Sequence, residues 1–275
     1  MSRKGSETWG TRSYVVELRY DPIMPSAELR ILPAARRYWS DIASRGGPFA
    51  ATGAVAGAFW QFLRDSTPGR LRQRYGDADY DWDYRVNTTS AAVGWRDRLL
   101  GAFHSPYQPT EPALFHEMLA TVARDFDLNF SDFTFLDLGS GKGRTLLMAS
   151  DYPFRRIVGV ELLPALERIA QENLRGYKSE SQKCFVVESL CADATTFTFP
   201  DGALVVYLFN PFPEAGLRQV VANLEQSLRA KSRPAYVLYH NPLLEHVLAG
   251  STSLRRAGGT HQYSVFCGTN GMSGR

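Results

Sequence analysis

From residue 133 onwards, the hydrophobic positions fall into short continuous runs separated by segments with helical spacing. The runs are FTFLDL (133–138), RIVGVE (156–161), CFVVES (184–189), ALVVYLFN (203–210) and AYVLYH (235–240). The helical segments between them begin near Gly143, Pro164, Glu214 and Pro242. Apolar strands that alternate with helices are typical of a parallel sheet covered on both faces. The pattern predicts a doubly wound α/β sheet.

The last two apolar runs follow a different rule. SLRRAG (253–258) and QYSVFCG (262–268) are separated only by a short Gly-Thr-His turn. Two strands so close in sequence pair as an antiparallel hairpin, because a parallel crossover needs a dozen or more residues. We therefore expect a mainly parallel sheet that ends in a C-terminal antiparallel hairpin.

The chain before residue 105 has no such alternation and reads as helical and irregular. ELRILPAARRYWSDIA (28–43) and the apolar run from Pro48 to Leu63 are its clearer helices. The apolar run is too short to span a bilayer and is predicted to be a buried Ala/Gly-rich helix. The acidic, aromatic run YGDADYDWDYRVNTT (75–89) is predicted to be a loop. We expect a helical or irregular region over residues 1–104 and the main domain over 105–275.

Composition adds a charge asymmetry. Hydrophobic residues make up 44% and charged residues 21% of the chain, as in ordinary globular proteins. Residues 1–74 hold 12 Lys or Arg against 6 Asp or Glu, and residues 75–275 hold 19 against 22. The basic excess is either a solvated helical surface or a docking surface for an acidic partner. Without a signal sequence or a spanning segment, the sequence predicts a cytoplasmic protein without membrane contact.

Metal and disulfide chemistry are not expected. The three cysteines form no Cys-x-x-Cys pair and read as reduced thiols. His116-Glu117 lacks the second histidine of a His-Glu-x-x-His motif, so no metal site is predicted.

The glycine-rich stretch LGSGKGR (138–144) discriminates between three kinds of loop. A phosphate-binding loop would need Gly where Leu136 stands and Ser or Thr where Gly143 stands. The dinucleotide fingerprint would need Gly where Arg144 stands, and so it also fails at one position. What remains is Asp137-x-Gly139-x-Gly141-x-Gly143 at the end of a strand.

This pattern resembles motif I of the class I S-adenosylmethionine-dependent methyltransferases, which have a Rossmann-like fold. The resemblance implies S-adenosyl-L-methionine as the cofactor. Gly139, Gly141 and Gly143 would let the backbone approach its methionine end, and Asp137 would meet the ammonium. The side chains of Lys142 and Arg144 are expected on the solvent side of the loop, without a catalytic role.

Further cofactor contacts follow from the same resemblance. Glu161, 22 residues after Gly139, would accept hydrogen bonds from the ribose hydroxyls. Asp193 would accept from the adenine amino group, with the N–H of Ala194 at the ring; an Asp in a loop is otherwise a turn residue.

An upstream segment is also similar to one in this family. YQPTEP (107–112) resembles a Tyr-x-Pro-Thr segment that bacterial and lysine methyltransferases place over the cofactor. Tyr107, Thr110 and Glu111 are therefore candidates for the methionine end. A helix cap explains Thr110 equally well.

The fourth strand ends in Asn210-Pro211-Phe212, which resembles the [DN]-P-P-[YF] motif of methyltransferases that act on amino groups, with one proline fewer. The resemblance implies that these three residues are catalytic and that Asn210 also lies at the cofactor. An Asn-Pro dipeptide after a strand is otherwise a common turn. His240, at the end of the fifth strand, is a candidate general base or simply a hydrogen-bonded residue.

The sequence thus predicts a methyltransferase that acts on an amino nitrogen of a protein or nucleic acid docked along the Arg-rich N-terminal region. One alternative is N- or O-methylation of a small metabolite, with residues 1–104 as a lid. Another is an inactive cofactor-binding module or partner subunit. An NAD-dependent oxidoreductase is disfavoured by Arg144 and by the terminal hairpin. The methyl acceptor and the oligomeric state stay open.

Overall fold

The computed structural model describes residues 31–65, 78–88 and 109–269. The first helix, α1, spans Ile31–Asp65 and is kinked at Gly47, whose φ of 80° and ψ of 170° are not helical. Glycine tolerates this conformation, and Pro48, which follows it, has no N–H to continue the helical hydrogen bonds. A short helix, α2, spans Ala78–Tyr84.

A sheet of seven strands forms the centre of the main domain. In chain order the strands are β1 (Phe133–Leu138), β2 (Arg156–Glu161), β3 (Val187–Cys191), β4 (Ala203–Phe209), β5 (Ala235–His240), β6 (Leu254–Gly259) and β7 (Tyr263–Gly268). Their spatial order is β3-β2-β1-β4-β5-β7-β6. The pairs among β1 to β5 are parallel, and β7 is antiparallel to both β5 and β6. The predicted doubly wound sheet with a C-terminal antiparallel hairpin is confirmed.

Helices flank the sheet on both sides. They are α3 (Pro112–Phe126), α4 (Arg144–Ala149), α5 (Pro164–Gly176), α6 (Glu214–Ala230) and α7 (Glu245–Ala249), and a 3₁₀ turn covers Phe130–Asp132. Residues that alternate along β4 point into two cores. Val205 and Tyr207 pack with α3 and α4, whereas Val206 and Leu208 pack with α6 and α7. We call these the α3 side and the α6 side of the sheet.

The strand order reverses between β1 and β4, and this positions the site. The chain leaves β1 into α4 on one side of the sheet and leaves β4 into α6 on the other. Two chain paths that diverge in this way open a crevice at the carboxyl ends of the two strands. Gly139 and Asn210 stand at these two ends.

The third strand begins later than predicted. The apolar run CFVVES predicted a strand over 184–189, but β3 covers Val187–Cys191. The N–H of Cys184 bonds instead to the carbonyl of Ser150, at 2.9 Å, and Phe185 is 77% exposed. The hydrophobic run therefore starts in the connection before the strand.

The N-terminal region differs from two expectations. The acidic, aromatic run contains helix α2, so the predicted loop is wrong over residues 78–84. The Pro48–Leu63 run is helical as predicted, but its described side chains are largely exposed. Phe49 is 93% and Trp60 is 67% exposed, although Ala51 is buried. Its burial was wrongly expected because apolar composition alone does not supply a surface for it to pack on.

Across residues 31–65, 78–88 and 109–269, no helix has the length and apolarity to cross a bilayer. In the same part of the chain, no group of three or more His, Cys, Asp or Glu side chains is placed to hold a metal ion. The cytoplasmic location stays a prediction.

Candidate functional site

The glycine loop lies at the carboxyl end of β1. Gly139, Gly141 and Gly143 have φ values of 91°, 55° and 82°, a region that other residues adopt only with strain. The N–H groups of Gly139 and Ser140 both donate to the carbonyl of Val160, at 2.8 and 3.2 Å, and this ties the loop to β2. The three predicted glycines are therefore required by the path of the backbone.

Pro211 packs directly against this loop. A Cβ atom on Gly139 would stand 2.4 Å from the Cβ of Pro211, closer than any side chain tolerates. The absence of a side chain at Gly139 thus brings the end of β4 against the end of β1. The predicted catalytic segment Asn210-Pro211-Phe212 and the predicted cofactor loop share one edge of the sheet.

Two buried carboxyl groups stand beneath the loop. Asp137 accepts a hydrogen bond from the hydroxyl of Thr145. Burial raises the pKa of Asp137 to about 7; the charge of Glu161 adds to this increase, and the bond from Thr145 opposes it. A cation placed next to an acidic side chain with such a pKa would lower that pKa and favour the ionised form.

Glu161 holds the loop from the end of β2. Its Oε2 accepts from the N–H of Gly141 and its Oε1 from the N–H of Leu163, both at 2.8 Å. Burial raises its pKa, and these two backbone bonds oppose the increase. Glu161 therefore orders the glycine loop, in addition to the ribose contact predicted for it.

Asp193 lies in the connection after β3. Its Oδ1 accepts from the N–H and the hydroxyl of Thr195, at 2.9 and 2.6 Å, so the side chain stabilises a turn. Ala194 is buried beside it. The adenine contacts of both residues stay predictions.

Asn210 ends β4 in a left-handed conformation, with φ of 42°, and Asn241 ends the neighbouring β5 with φ of 48°. The Oδ1 of Asn210 accepts from the hydroxyl of Tyr239 at 2.7 Å. Its Nδ2 donates to the carbonyl of Asn241. The amide of Asn210 is thereby held in one orientation, on the α6 side of the sheet, where Phe212 also packs.

His240 lies on the opposite side of the sheet. Its Nδ1 is 2.8 Å from the hydroxyl of Tyr207, which is in turn 2.9 Å from the hydroxyl of Thr110. Its ring stacks on Phe209 with centroids 3.9 Å apart. Burial lowers the pKa of His240 to about 4. The structure therefore joins His240 to Thr110 through Tyr207 but does not bring it to the amide of Asn210.

Of the residues expected from YQPTEP, Tyr107 lies outside the described residues. Thr110 is buried, and Glu111 precedes α3 without capping it through its side chain. Tyr207 was not predicted as part of the site. Its position two residues before the end of the central strand β4, among apolar neighbours, was the available signal.

Lys142 and Arg144 correct the expectation of solvent-facing side chains. Lys142 is 0% and Arg144 2% exposed. Lys142 donates to Asn87, and Arg144 pairs with Asp81 and Thr88, so residues 81–88 cover both side chains. The signal missed in the sequence was the acidic run that contains Asp81, because a buried cation needs a carboxylate partner.

Comparison with known proteins agrees with the methyltransferase prediction made from motif I. Residues 136–231 match a family model described as a methyltransferase domain. No significant match is found among curated protein sequences. Solved structures that are similar in fold include an RNA methyltransferase from Salinibacter ruber in complex with S-adenosyl-L-homocysteine. It has 22% identity and a TM-score of 0.37, with 60% of this chain and 95% of that chain covered.

Two further structures of similar fold are named for other substrates. One is a ribosomal protein L11 methylase from Lactobacillus delbrueckii subsp. bulgaricus, with 11% identity, a TM-score of 0.42, and 60% of this chain and 81% of that chain covered. The other is a predicted N6-adenine-specific DNA methylase from Listeria monocytogenes, with 15% identity, a TM-score of 0.43, and coverages of 59% and 52%. Similarity at this level of sequence identity and TM-score does not identify the substrate of this chain.

The matched residues 136–231 contain the three glycines, Glu161, Asp193 and Asn210. Residues 136–231 of the chain therefore carry a methyltransferase domain, in agreement with the Rossmann-like fold and the cofactor that motif I implies.

Proposed function

We propose that the enzyme methylates an amino nitrogen of a protein or nucleic acid. The observation that carries this proposal is the contact between Pro211 and Gly139, which sets Asn210-Pro211-Phe212 against the cofactor loop. A substrate amino group bound by this segment would lie next to the donor.

The cofactor fits the residues beneath and around the loop. The loop has backbone angles that glycine adopts readily, and the buried Asp137 is placed to receive an ammonium group. We assign the cofactor to one set of residues: Tyr107, Thr110, Asp137, Gly139, Gly141, Gly143, Glu161, Asp193, Ala194 and Asn210. When bound, the cofactor supplies an electrophilic methyl group on a sulfonium. The task of the chain is alignment of the acceptor and exclusion of water, which can lower a barrier by ~7–11 kcal/mol.

The polar groups of the segment suit a neutral amino nitrogen. An amide oxygen has two lone pairs, and the hydroxyl of Tyr239 uses one of those on the Oδ1 of Asn210. The second lone pair and the carbonyl of Pro211 would accept the two N–H bonds of the substrate, with Phe212 against its plane. These bonds would keep the electron pair of the nitrogen on that atom, available for attack on the methyl carbon.

The same argument ranks acceptors. A nucleobase amine or a side-chain amide is already neutral. A lysine amine, with a reference pKa near ~10.4, costs about 4.6 kcal/mol to present neutral at pH 7. We therefore favour an acceptor of the first kind.

His240 supports a second candidate, the N- or O-methylation of a small metabolite, in which a base removes a proton from the acceptor. Its Nδ1 is joined to Thr110 through Tyr207, close to the proposed methionine end. A pKa of about 4 leaves it neutral but weakly basic at pH 7, which favours the first candidate.

We propose to move the domain boundary predicted from the sequence, between residues 1–104 and 105–275, to a point before α2. Because Tyr80 belongs to the core on the α3 side, we assign α2 to the catalytic unit. The preceding basic region would dock the macromolecule.

Two measurements test the function. S-adenosylhomocysteine should raise the melting temperature and NAD should not; the reverse would remove the cofactor assignment from this site. Radiolabelled methyl transfer into a host lysate, with and without nuclease or protease, should place the label on a macromolecule. Label found only in small molecules would favour the second candidate, and binding without any transfer would favour an inactive module.

A further inference from the structure

In the second half of the glycine loop, glycines alternate with residues whose side chains are held by hydrogen bonds. Gly141 and Gly143 adopt positive φ, and between and after them stand Lys142 and Arg144, both buried. Their side chains leave the loop toward residues 81–88, a segment that precedes the loop by more than fifty positions in the chain.

Lys142 is fastened at both its side chain and its backbone. Its Nζ donates to Oδ1 of Asn87 at 2.8 Å, and its carbonyl accepts from Nδ2 of Asn173 at 2.9 Å. Asn173, on α5, also accepts from the N–H of Asn87 at 2.8 Å and donates to the carbonyl of Asn87 at 3.0 Å. Lys142, Asn87 and Asn173 thus form one closed hydrogen-bond network.

Arg144 extends the network to Asp81. Its Nε donates to the hydroxyl of Thr88 at 2.6 Å, and this hydroxyl donates to Oδ1 of Asp81. The N–H of Thr88 donates to Oδ2 of Asp81 at 2.7 Å, and a terminal nitrogen of Arg144 lies 3.4 Å from Oδ1. The guanidinium also lies 4.9 Å from the ring centroid of Tyr80 and 3.5 Å from the carbonyl of Thr110.

These contacts have a physical consequence for the loop. A segment with three glycines loses more conformational freedom on ordering than a segment of the same length without glycine. If the loop became ordered only when the cofactor bound, this loss of entropy would make the free energy of binding less favourable. Side chains that hold the loop beforehand remove this cost.

We propose that Lys142 and Arg144 are positioning residues, which hold the glycine loop in its cofactor-binding shape by fastening it to residues 81–88. The inference rests on the proposed placement of the cofactor at this loop. It makes residues 81–88, far from motif I in sequence, determinants of cofactor affinity.

Thr88 offers the sharpest test, since valine has its shape without its hydroxyl. Thr88→Val removes both the acceptor for Arg144 and the donor to Asp81, whereas Thr88→Ser retains them. We expect the Kd for S-adenosylhomocysteine, measured by calorimetry, to rise at least ~10-fold in Thr88→Val and to stay within threefold of wild type in Thr88→Ser.

Arg233 provides a matched control for Arg144. It is a buried arginine that bonds to the carbonyls of Ser227 and Lys231 and to the hydroxyl of Ser227, at the far end of the sheet. Arg144→Met should weaken S-adenosylhomocysteine binding at least ~10-fold, whereas Arg233→Met should lower the melting temperature without changing the Kd.

Thr88→Val with a Kd within twofold of wild type would overturn the proposal, even if Arg144→Met fails to fold. So would Arg233→Met if it weakened binding as much as Arg144→Met. Wild-type protein that binds no S-adenosylhomocysteine would instead remove the cofactor placement and this inference together. Normal binding by wild type and by Thr88→Val would remove this inference alone.

Discussion

The hydroxyl of Tyr239 donates a 2.7 Å hydrogen bond to the Oδ1 of Asn210, across the carboxyl ends of two adjacent parallel strands. The amide of Asn210 also donates to the carbonyl of Asn241. An asparagine that was expected to meet the substrate is therefore oriented by the neighbouring strand, and Tyr239 is a positioning residue for it.

Tyr239→Phe should lower the single-turnover rate of methyl transfer about 2- to 10-fold, the value of one hydrogen bond. The Kd for S-adenosylhomocysteine should not change. Asn210→Ala should reduce the rate further, since it removes the acceptor itself. Tyr152→Phe, which loses a similar bond to His116 away from the proposed site, is the control. A normal rate in Tyr239→Phe beside an inactive Asn210→Ala would show that Asn210 needs no such orientation.

The affinity for the cofactor should depend on pH through Asp137. Burial raises the pKa of Asp137 to about 7, and an ammonium group next to it would lower that pKa in the complex. Binding therefore releases a proton below pH 7, and affinity should rise with pH up to about 7 and level off above it. Calorimetry between pH 5.5 and 8.5 should show a change of up to ~10-fold per pH unit on the acid side.

Asp137→Asn supplies the comparison for this pH dependence, and its affinity should be lower and nearly independent of pH. In the cofactor-free protein, the effect of Asp137 on stability has the opposite dependence on pH. A carboxyl group with a raised folded-state pKa favours folding when protonated, so its contribution to the free energy of unfolding falls as pH rises from about 4 to about 7. An affinity that falls with rising pH would contradict the assignment.

His240 should be neutral throughout the physiological range. Burial lowers its pKa to about 4 from an ordinary value of 6.5, so the unfolded chain binds this proton first. The stability contributed by neutral His240 is complete above pH 6.5 and is lost as pH falls toward 4. The proton resonances of the ring, followed by NMR, should titrate near pH 4, and His240→Asn should flatten the acid limb of the stability profile. Titration near pH 6.5 would instead support a role of His240 as a general base.

Gly139→Ala should damage both stability and cofactor binding. The new Cβ would meet the Cβ of Pro211 at 2.4 Å, and φ of 91° is strained for alanine. We expect a loss of about 1–3 kcal/mol in the free energy of unfolding from the backbone alone. Gly202→Ala is the control, because a Cβ there meets nothing within 4 Å. Equal melting temperatures of the two variants would show that Pro211 does not press on the loop.

Truncation tests the proposed domain division. A chain that begins at residue 78 keeps α2 and the partners of Lys142 and Arg144, so it should fold and bind S-adenosylhomocysteine, with weaker methyl transfer to the macromolecule. A chain that begins at residue 105 leaves Lys142 without Asn87 and Arg144 without Asp81 and Thr88, and its melting temperature should fall sharply. Equal stability of the two chains would place α2 outside the catalytic unit.

The main domain was readable from local patterns. Continuous apolar strands that alternate with helices require a parallel sheet buried on both faces, and a three-residue turn permits only antiparallel pairing. Motif I could also be predicted from the sequence, because Gly139, Gly141 and Gly143 have backbone angles that few other residues adopt. The start of β3 was misplaced since an apolar run does not say which of its residues find a neighbouring strand.

The sequence by itself determined the order of strands and helices, the glycine loop and the kind of cofactor, since these depend on short-range periodicity and on backbone conformation. Only the tertiary structure decided which side chains meet. It buried Lys142 and Arg144 under residues 81–88, and it turned Asn210 and His240 to opposite sides of the sheet. Such contacts join positions that are distant in the chain, and their energies depend on burial and orientation that no local pattern encodes.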